Sequence, residues 1–216
     1  MHKGYFITFE GAEGCGKSTQ IRLLGEDLEK AGLSVKVSRS PGGTPVAEKI
    51  RKILKEATAG EDLEPETELL LFGACHSQMT ANLIRPLLEK GVIVLSDRFC
   101  DSTLAYQGYA RNLGADTVRK INSYACRGLK PDLTILLDLE VEEGLRRARE
   151  RAGDALTLAA DRFDSEKLSF HQAVRNAFLR LAAEEKERFA VISAKGSVEE
   201  VHLRIREEVH ARLGIL

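Results

Sequence analysis

Eight residues near the start of the chain, Gly11-Ala12-Glu13-Gly14-Cys15-Gly16-Lys17-Ser18, have the spacing G-x-x-x-x-G-K-[ST]. Glycines at 11, 14 and 16 let a tight loop turn its backbone N–H groups inward, where they can hold an anion. The motif follows an apolar run ending at Phe9 and opens a helical pattern from Lys17, so a helix N-terminus adds to the same site. Lys17 can reach the β- and γ-phosphates of ATP, the Ser18 hydroxyl can ligate Mg²⁺, and Thr19 follows as a further phosphate contact. Glu13 is out of place there, because a carboxylate repels phosphate. It either meets a sugar hydroxyl or a cation, or stands solvated at the rim, and the loop alone leaves both readings open.

A second group, Ser96-Asp97-Arg98-Phe99, ends the third apolar run. In a parallel sheet the strand C-termini share the edge that carries the phosphate loop. Asp97 is then placed to orient Mg²⁺ or its water shell, and Arg98 to neutralise a phosphate; alternatively the two simply pair with each other. Phosphoryl transfer needs mostly positioning and charge compensation, which suits such a pair.

These groups must be positioned by regular elements. Segments 5–9, 34–38, 92–95, 133–137 and 189–192 are short and nearly continuous in apolar character, as strands covered on both faces are. Helical periodicity falls near 17–31, 45–56, 66–89, 115–127, 141–150, 164–186 and 197–212. Pro65 suits a first helical position, Ser197 with Glu200 has capping-box spacing, and Phe170, Val174, Phe178 and Leu181 form one core-facing stripe. The alternation predicts an α/β fold: a three-layer α/β/α architecture with a five-stranded parallel sheet carrying the P-loop. Residues 1–216 form one domain. Its odd segment, 151–163, has mixed character with arginines at both edges, and is either a helical lid or an ordinary helix–helix connection.

Composition narrows the class. A net charge of −1 gives no global field for nucleic acid or anionic membrane, so phosphate binding must be local. No apolar run approaches a membrane span, and the N-terminus has no signal-peptide core, which points to the cytoplasm. Cys15, Cys75, Cys100 and Cys126 show no CxxC pair, which argues against a zinc site and a disulfide framework.

The chain resembles bacterial thymidylate kinases over almost its whole length. Asp97-Arg98-Phe99-Cys-Asp-Ser102-Thr103-Leu-Ala-Tyr106-Gln107-Gly108 is similar to that family's DR[YFH]-x-x-S-[ST]-x-A-Y-Q-G segment. Arg39-Ser40-Pro41-Gly42-Gly43-Thr44 is similar to its R-E-P-G-G-T, and Asp161-Arg162-Phe163 with Phe170-His171 to its D-R-[FIL]…F-H stretch. The resemblance implies transfer of the γ-phosphate of ATP to dTMP by a homodimer. It implies that Phe72 stacks on thymine, although its apolar helix also suits a core position. Arg98 and Arg51 would hold the acceptor phosphate, Thr103 and Gln107 would read the base edge, and Tyr106 would press on the sugar and disfavour a 2′-hydroxyl. Glu13 would meet the 3′-hydroxyl, and Arg39 would support the phosphate or the Pro-Gly-Gly loop, or lie on the surface. Because Gly14 occupies the loop position where some members carry the transition-state arginine, the lid supplies it. Arg151 is the first candidate, with Arg147, Arg149 and Arg162 as neighbours; at least two of Arg146, Arg147, Arg149 and Arg151 are expected to be solvated helix charges.

Two positions depart from the family pattern. His76 stands where an arginine faces the base, and reads as a contact to thymine O4 or as a histidine with no ligand contact. Ser40 replaces the glutamate before Pro-Gly-Gly. These departures keep two other readings open: a kinase for dUMP or UMP, and a nucleotide-binding paralogue with weak activity.

Overall fold

The computed structural model describes residues 4–56, 61–152, 163 and 166–216, the side chains of 151 and 152 excepted. Five strands form one parallel sheet: β1 (Phe6–Glu10), β2 (Val35–Arg39), β3 (Ile93–Asp97), β4 (Leu133–Asp138) and β5 (Phe189–Ser193). Their order is β2-β3-β1-β4-β5, so the strand that feeds the phosphate loop lies in the middle. Register sets Phe9 against Asp97, and Asp97 against Arg39, which brings the C-terminal ends of β1, β3 and β2 to one edge. All five strands expected from the apolar runs are present, within two residues at each end.

Helices α1 (Lys17–Lys30) and α9 (Val198–Leu213) cover one face. There Leu24, Leu28, Ile205 and Val209 pack on Ile7, Phe9, Leu95 and Ile135, all fully buried. The other face carries α2 (Pro45–Lys55), α3 (Pro65–Met79), α4 (Arg85–Glu89), α5 (Cys100–Thr103), α6 (Ala115–Ala125) and α8 (Leu168–Glu184), with two clusters centred on Phe178 and Phe99. The three layers follow from strands apolar on both sides, each of which needs a helix above and below. Helix α7 (Val141–Ala152) leads away from β4 beside the phosphate loop. Pro65 is at the start of α3, and Ser197 and Glu200 form a reciprocal capping box on α9.

Two stretches differ from the periodic reading. The long pattern over 66–89 is α3, a π-helical turn at Thr80–Ile84, and then α4. Residues 100–110, for which no helix was expected, form α5 and a π-helical run at Leu104–Ala110. Leu104, Ala105, Tyr106, Gln107 and Gly108 are all buried, so this stretch has no polar face and no amphipathic period to announce it. Expected helix 164–186 begins at Leu168, and the lid segment lies largely outside the described residues.

Candidate active site

The loop between β1 and α1 is held by backbone conformations that glycine allows. Gly11, Gly14 and Gly16 all have positive φ. Gly14 also touches α7: a β-carbon there would overlap the carbonyl of Gly144. That is the physical reason the loop has no side chain at this position, and no room for an arginine. Lys17 folds over the loop, its Nζ donating to the Gly11 and Ala12 carbonyls, each at 3.0 Å. Ser18 Oγ donates to Asp97 Oδ2 at 3.2 Å, joining the loop to the end of β3. A hydroxyl and a carboxylate at that separation are the hard oxygen donors that suit Mg²⁺.

Arg98, one residue on, does not pair with Asp97. It takes a left-handed backbone at φ 67°, uncommon for a side-chain-bearing residue and a mark of functional sites. A backbone bond from Arg98 N–H to Phe9 O and a side-chain bond from Ser96 Oγ to Arg98 O hold it there. Its guanidinium donates to Ser102 Oγ at 3.0 Å, Tyr106 Oη at 2.9 Å and Glu13 Oε1 at 3.2 Å. Glu13 also accepts from Tyr106 Oη at 2.5 Å and meets His171 Nδ1 at 3.1 Å. Burial alone would raise the Glu13 pKa, but the bond to His171 and the Arg98 and Lys17 charges hold it well below the usual carboxylate range. The carboxylate in the phosphate loop is thus anchored among cations and donors.

Behind Arg98 lies Glu10, the last residue of β1. It is fully buried, accepting from Phe99 N–H at 2.8 Å and Ser102 Oγ at 2.5 Å. Burial, against the opposing Arg98 charge, pushes its pKa up to about 8. Glu10 and His171 belong to the network although their types and spacing alone gave them no role. Each had a signal: a carboxylate ending an otherwise apolar strand, and a histidine beside the α8 stripe.

A cavity of about 390 Å³ opens over Arg98, large enough for a small ligand. Phe72, Thr103, Tyr106, Gln107 and His76 line one end, and Lys17, Ser18, Asp97, Ser40 and Arg51 the other. Phe72 is half-buried at the cavity wall, one helical turn from His76. Gln107 donates its amide nitrogen to the buried Glu68 at 2.6 Å, which fixes the amide and leaves its carbonyl oxygen as the acceptor. The hydroxyls of Thr103 and Ser40 are buried without a hydrogen-bond partner among the described residues. Buried polar atoms are normally satisfied, so two orphans on one cavity mark a place for a polar ligand. Arg51 donates to Pro41 O at 2.7 Å, and Arg39 pairs with Glu48, whose carboxylate also accepts from Gly43 N–H. Both arginines therefore brace the Ser40–Gly43 loop, where Ser40–Pro41 is cis.

His76 is only 1% exposed, and burial lowers its pKa to about 3, so it is a neutral imidazole. Its Nδ1 lies 3.8 Å from Cys100 Sγ. On α7, Arg146 and Arg147 pair with Glu143, and Arg149 is exposed. The Arg151 side chain and all of Arg162 lie outside the described residues.

A phosphate loop, an acidic–hydroxyl pair at its mouth and a polar cavity floored by arginine define a phosphotransferase site. A family model for thymidylate kinase matches residues 9–205. The chain belongs to the thymidylate kinase family. It is 48% identical over 206 residues to the thymidylate kinase of Pelobacter propionicus, covering 95% of this chain and 94% of that one. To the thymidylate kinase of Geobacter sulfurreducens it is 50% identical over 196 residues, covering 91% and 92%. The crystal structure of thymidylate kinase from Ehrlichia chaffeensis superposes with a TM-score of 0.76 at 30% identity, covering 96% of this chain and 99% of that one. The family is one of kinases, which accords with the nucleotide-binding loop and the parallel sheet.

Proposed function

We propose that this chain transfers the γ-phosphate of ATP to dTMP, giving dTDP, and that it acts as a cytoplasmic homodimer. The observation that carries the acceptor reading is the position of Arg98. A guanidinium in the cavity floor, tied to Glu13 and Tyr106 on one side and Ser102 on the other, is a preorganised site for a monophosphate. The orphaned Thr103 hydroxyl and the Gln107 carbonyl suit the polar edge of a pyrimidine, and Phe72 offers a face for its ring. Tyr106, held by its bonds to Glu13 and Arg98, would press on the sugar and disfavour a 2′-hydroxyl.

The donor half is the Gly11–Thr19 loop. Lys17 and the loop amides would bind the β- and γ-phosphates, and Ser18 with Asp97 would hold Mg²⁺. That ion would screen the phosphate charge during transfer. An acceptor monophosphate already carries a nucleophilic oxygen, so no general base is needed; the protein aligns that oxygen with the γ-phosphorus and supplies compensating charge. Arg151, from the lid side of α7, is proposed as the cation that meets charge developing in flight.

Exposed apolar side chains support the homodimer. Val46, Ile53 and Leu70 are each about half exposed or more on the adjacent helices α2 and α3, and Tyr124 on neighbouring α6 is 89% exposed. Exposed apolar side chains on three helices that pack in sequence, α2 on α3 and α3 on α6, suit a second copy of the chain.

A panel of dTMP, dUMP, UMP, dCMP and dGMP with ATP and Mg²⁺ in an ADP-release assay tests the acceptor. We expect dTMP to have the highest kcat/KM, with dUMP below it by roughly 10- to 100-fold, since one methyl group contributes about 1–3 kcal/mol. A higher kcat/KM for UMP, or no turnover of any monophosphate, would overturn the proposal.

A further inference from the structure

Three residues from three separate elements converge just behind the cavity wall. His76 is on α3, Cys100 opens α5 and Cys126 caps the end of α6. A ring nitrogen of His76 and the two sulfur atoms all lie within 4.8 Å of one another, with Nδ1 at 3.8 Å from Cys100 Sγ. His76 and Cys126 are each 1% exposed, whereas Cys100 is half-buried and offers a way in from solvent. Asn122 ties the two cysteines together: its side-chain Nδ2 donates to Cys100 O at 3.0 Å, and its backbone carbonyl accepts from Cys126 N–H at 2.8 Å.

We propose that His76, Cys100 and Cys126 form a binding site for a thiophilic cation, Zn²⁺ in the first instance. Although the cysteine spacing gave no sign of one, Cys100 and Cys126 are joined as a disulfide, with Cα atoms 7.9 Å apart. Relaxed disulfides span about 4.4–6.8 Å between Cα atoms, so this backbone is set wider than a disulfide needs. Two thiolates converging on one ion, each about 2.3 Å from it, tolerate the wider spacing. A thiol reductant first supplies two electrons and two protons to open the Cys100–Cys126 disulfide, being itself oxidised to a disulfide; Zn²⁺ then displaces one proton from each freed thiol, giving two Zn–S bonds and two released protons, with neutral imidazole as third ligand. The resulting unit carries no net charge, which a buried site requires. Three protein ligands leave one coordination position for water.

The site lies outside the phosphotransfer machinery but shares His76 with the acceptor cavity. A metal on Nδ1 would fix the ring and leave Nε2 as the nitrogen able to face the cavity. No CxxC spacing announces these ligands, because they are separated by 24 residues between His76 and Cys100 and by 26 between the two cysteines. Only the fold assembles them. The inference holds independently of which nucleotide the enzyme phosphorylates.

The test uses the full chain, reduced and freed of metal, titrated with Co²⁺ and then with Zn²⁺ against a chromophoric chelator. We expect one Co²⁺ per chain, with a sulfur-to-cobalt charge-transfer band that Zn²⁺ abolishes, and a Zn²⁺-dependent rise in thermal midpoint. Cys126→Ser should bind Zn²⁺ at least about 100-fold more weakly, since even loss of a supporting group around a metal costs 10- to 100-fold. Cys75→Ser, a buried cysteine outside the cluster, should keep the band. Circular dichroism checks that each variant is folded, and Cys126→Ala replaces the serine variant if that one is not. Absence of the charge-transfer band in folded, reduced wild-type protein would overturn the site whatever the variants do. So would an undiminished band in Cys126→Ser, or a Cys100–Cys126 cross-link in thiol-trapped protein that takes up no metal after reduction.

Discussion

Glu10 and Glu13 are close on the chain and titrate in opposite directions. Glu13 meets Arg98, Tyr106 and His171, and is held ionised well below the ordinary carboxylate range. Glu10, fully buried with Arg98 at 3.9 Å, is pushed from the ordinary 4.5 up to about 8. A carboxyl raised in the folded state binds more protons folded than unfolded between those two values. Its stabilisation is complete below about 4.5 and is lost as pH rises through about 8. Glu10→Gln, neutral throughout and nearly isosteric, should flatten the fall in stability across that window; urea denaturation at a series of pH values measures it. At the lid, Arg151→Ala should lower kcat by on the order of 10³ or more with little change in KM for ATP, read by steady-state kinetics. Near-normal kcat would remove Arg151 from the mechanism. Glu10 and His171 show the limit of residue types and spacing. Nothing in the order of residues says that a strand-end carboxylate will meet Arg98 while a helix histidine 161 positions later meets Glu13, the partner of that same arginine; packing decides it.

At the scale of elements, the phosphate loop and α7 are one assembly. Gly14 needs both its positive φ (72°) and the absence of a side chain, because Gly144 of α7 fills the space. Gly14→Ala should therefore cost at least about 1 kcal/mol in unfolding free energy and weaken ATP binding, measured by denaturant melts and nucleotide titration. The capping box on α9 is a separable element: Ser197 accepts from Glu200 N–H at 3.2 Å while Glu200 returns a bond to Ser197 N–H at 2.8 Å. Ser197→Ala should lower stability by about 1 kcal/mol and leave kcat unchanged, since α9 lies on the far face from the cavity. The capping box and the first strand were legible because both are written in contiguous residues. The α5–π segment was not, because its burial on all sides erases the period that betrays a surface helix.

Across the whole molecule, the sheet order puts β1 at the centre and gathers the ends of β1, β3 and β2 over one cavity. The exposed apolar faces of α2, α3 and α6 make the proposed second copy the natural cover for an otherwise solvated patch. Leu70→Asp, at a position 60% exposed, should leave the fold intact but shift the protein toward monomer. Sedimentation or light scattering at micromolar concentration checks this; an unchanged mass would show that Leu70 is not at the interface.

The sequence by itself determined the nucleotide-binding loop, the five strands and the family. Each rests on short contiguous patterns whose physics is local: glycine φ freedom, apolar runs, caps and a helix start. The tertiary structure decided which side chains share a site. It brought Glu10 to Arg98 and His171 to Glu13, and tied Arg39 to Glu48. It also buried His76 as a neutral imidazole with two cysteines from elsewhere on the chain at its back. Those outcomes depend on how sheet register and helix packing superimpose distant segments, and no local period or spacing encodes them.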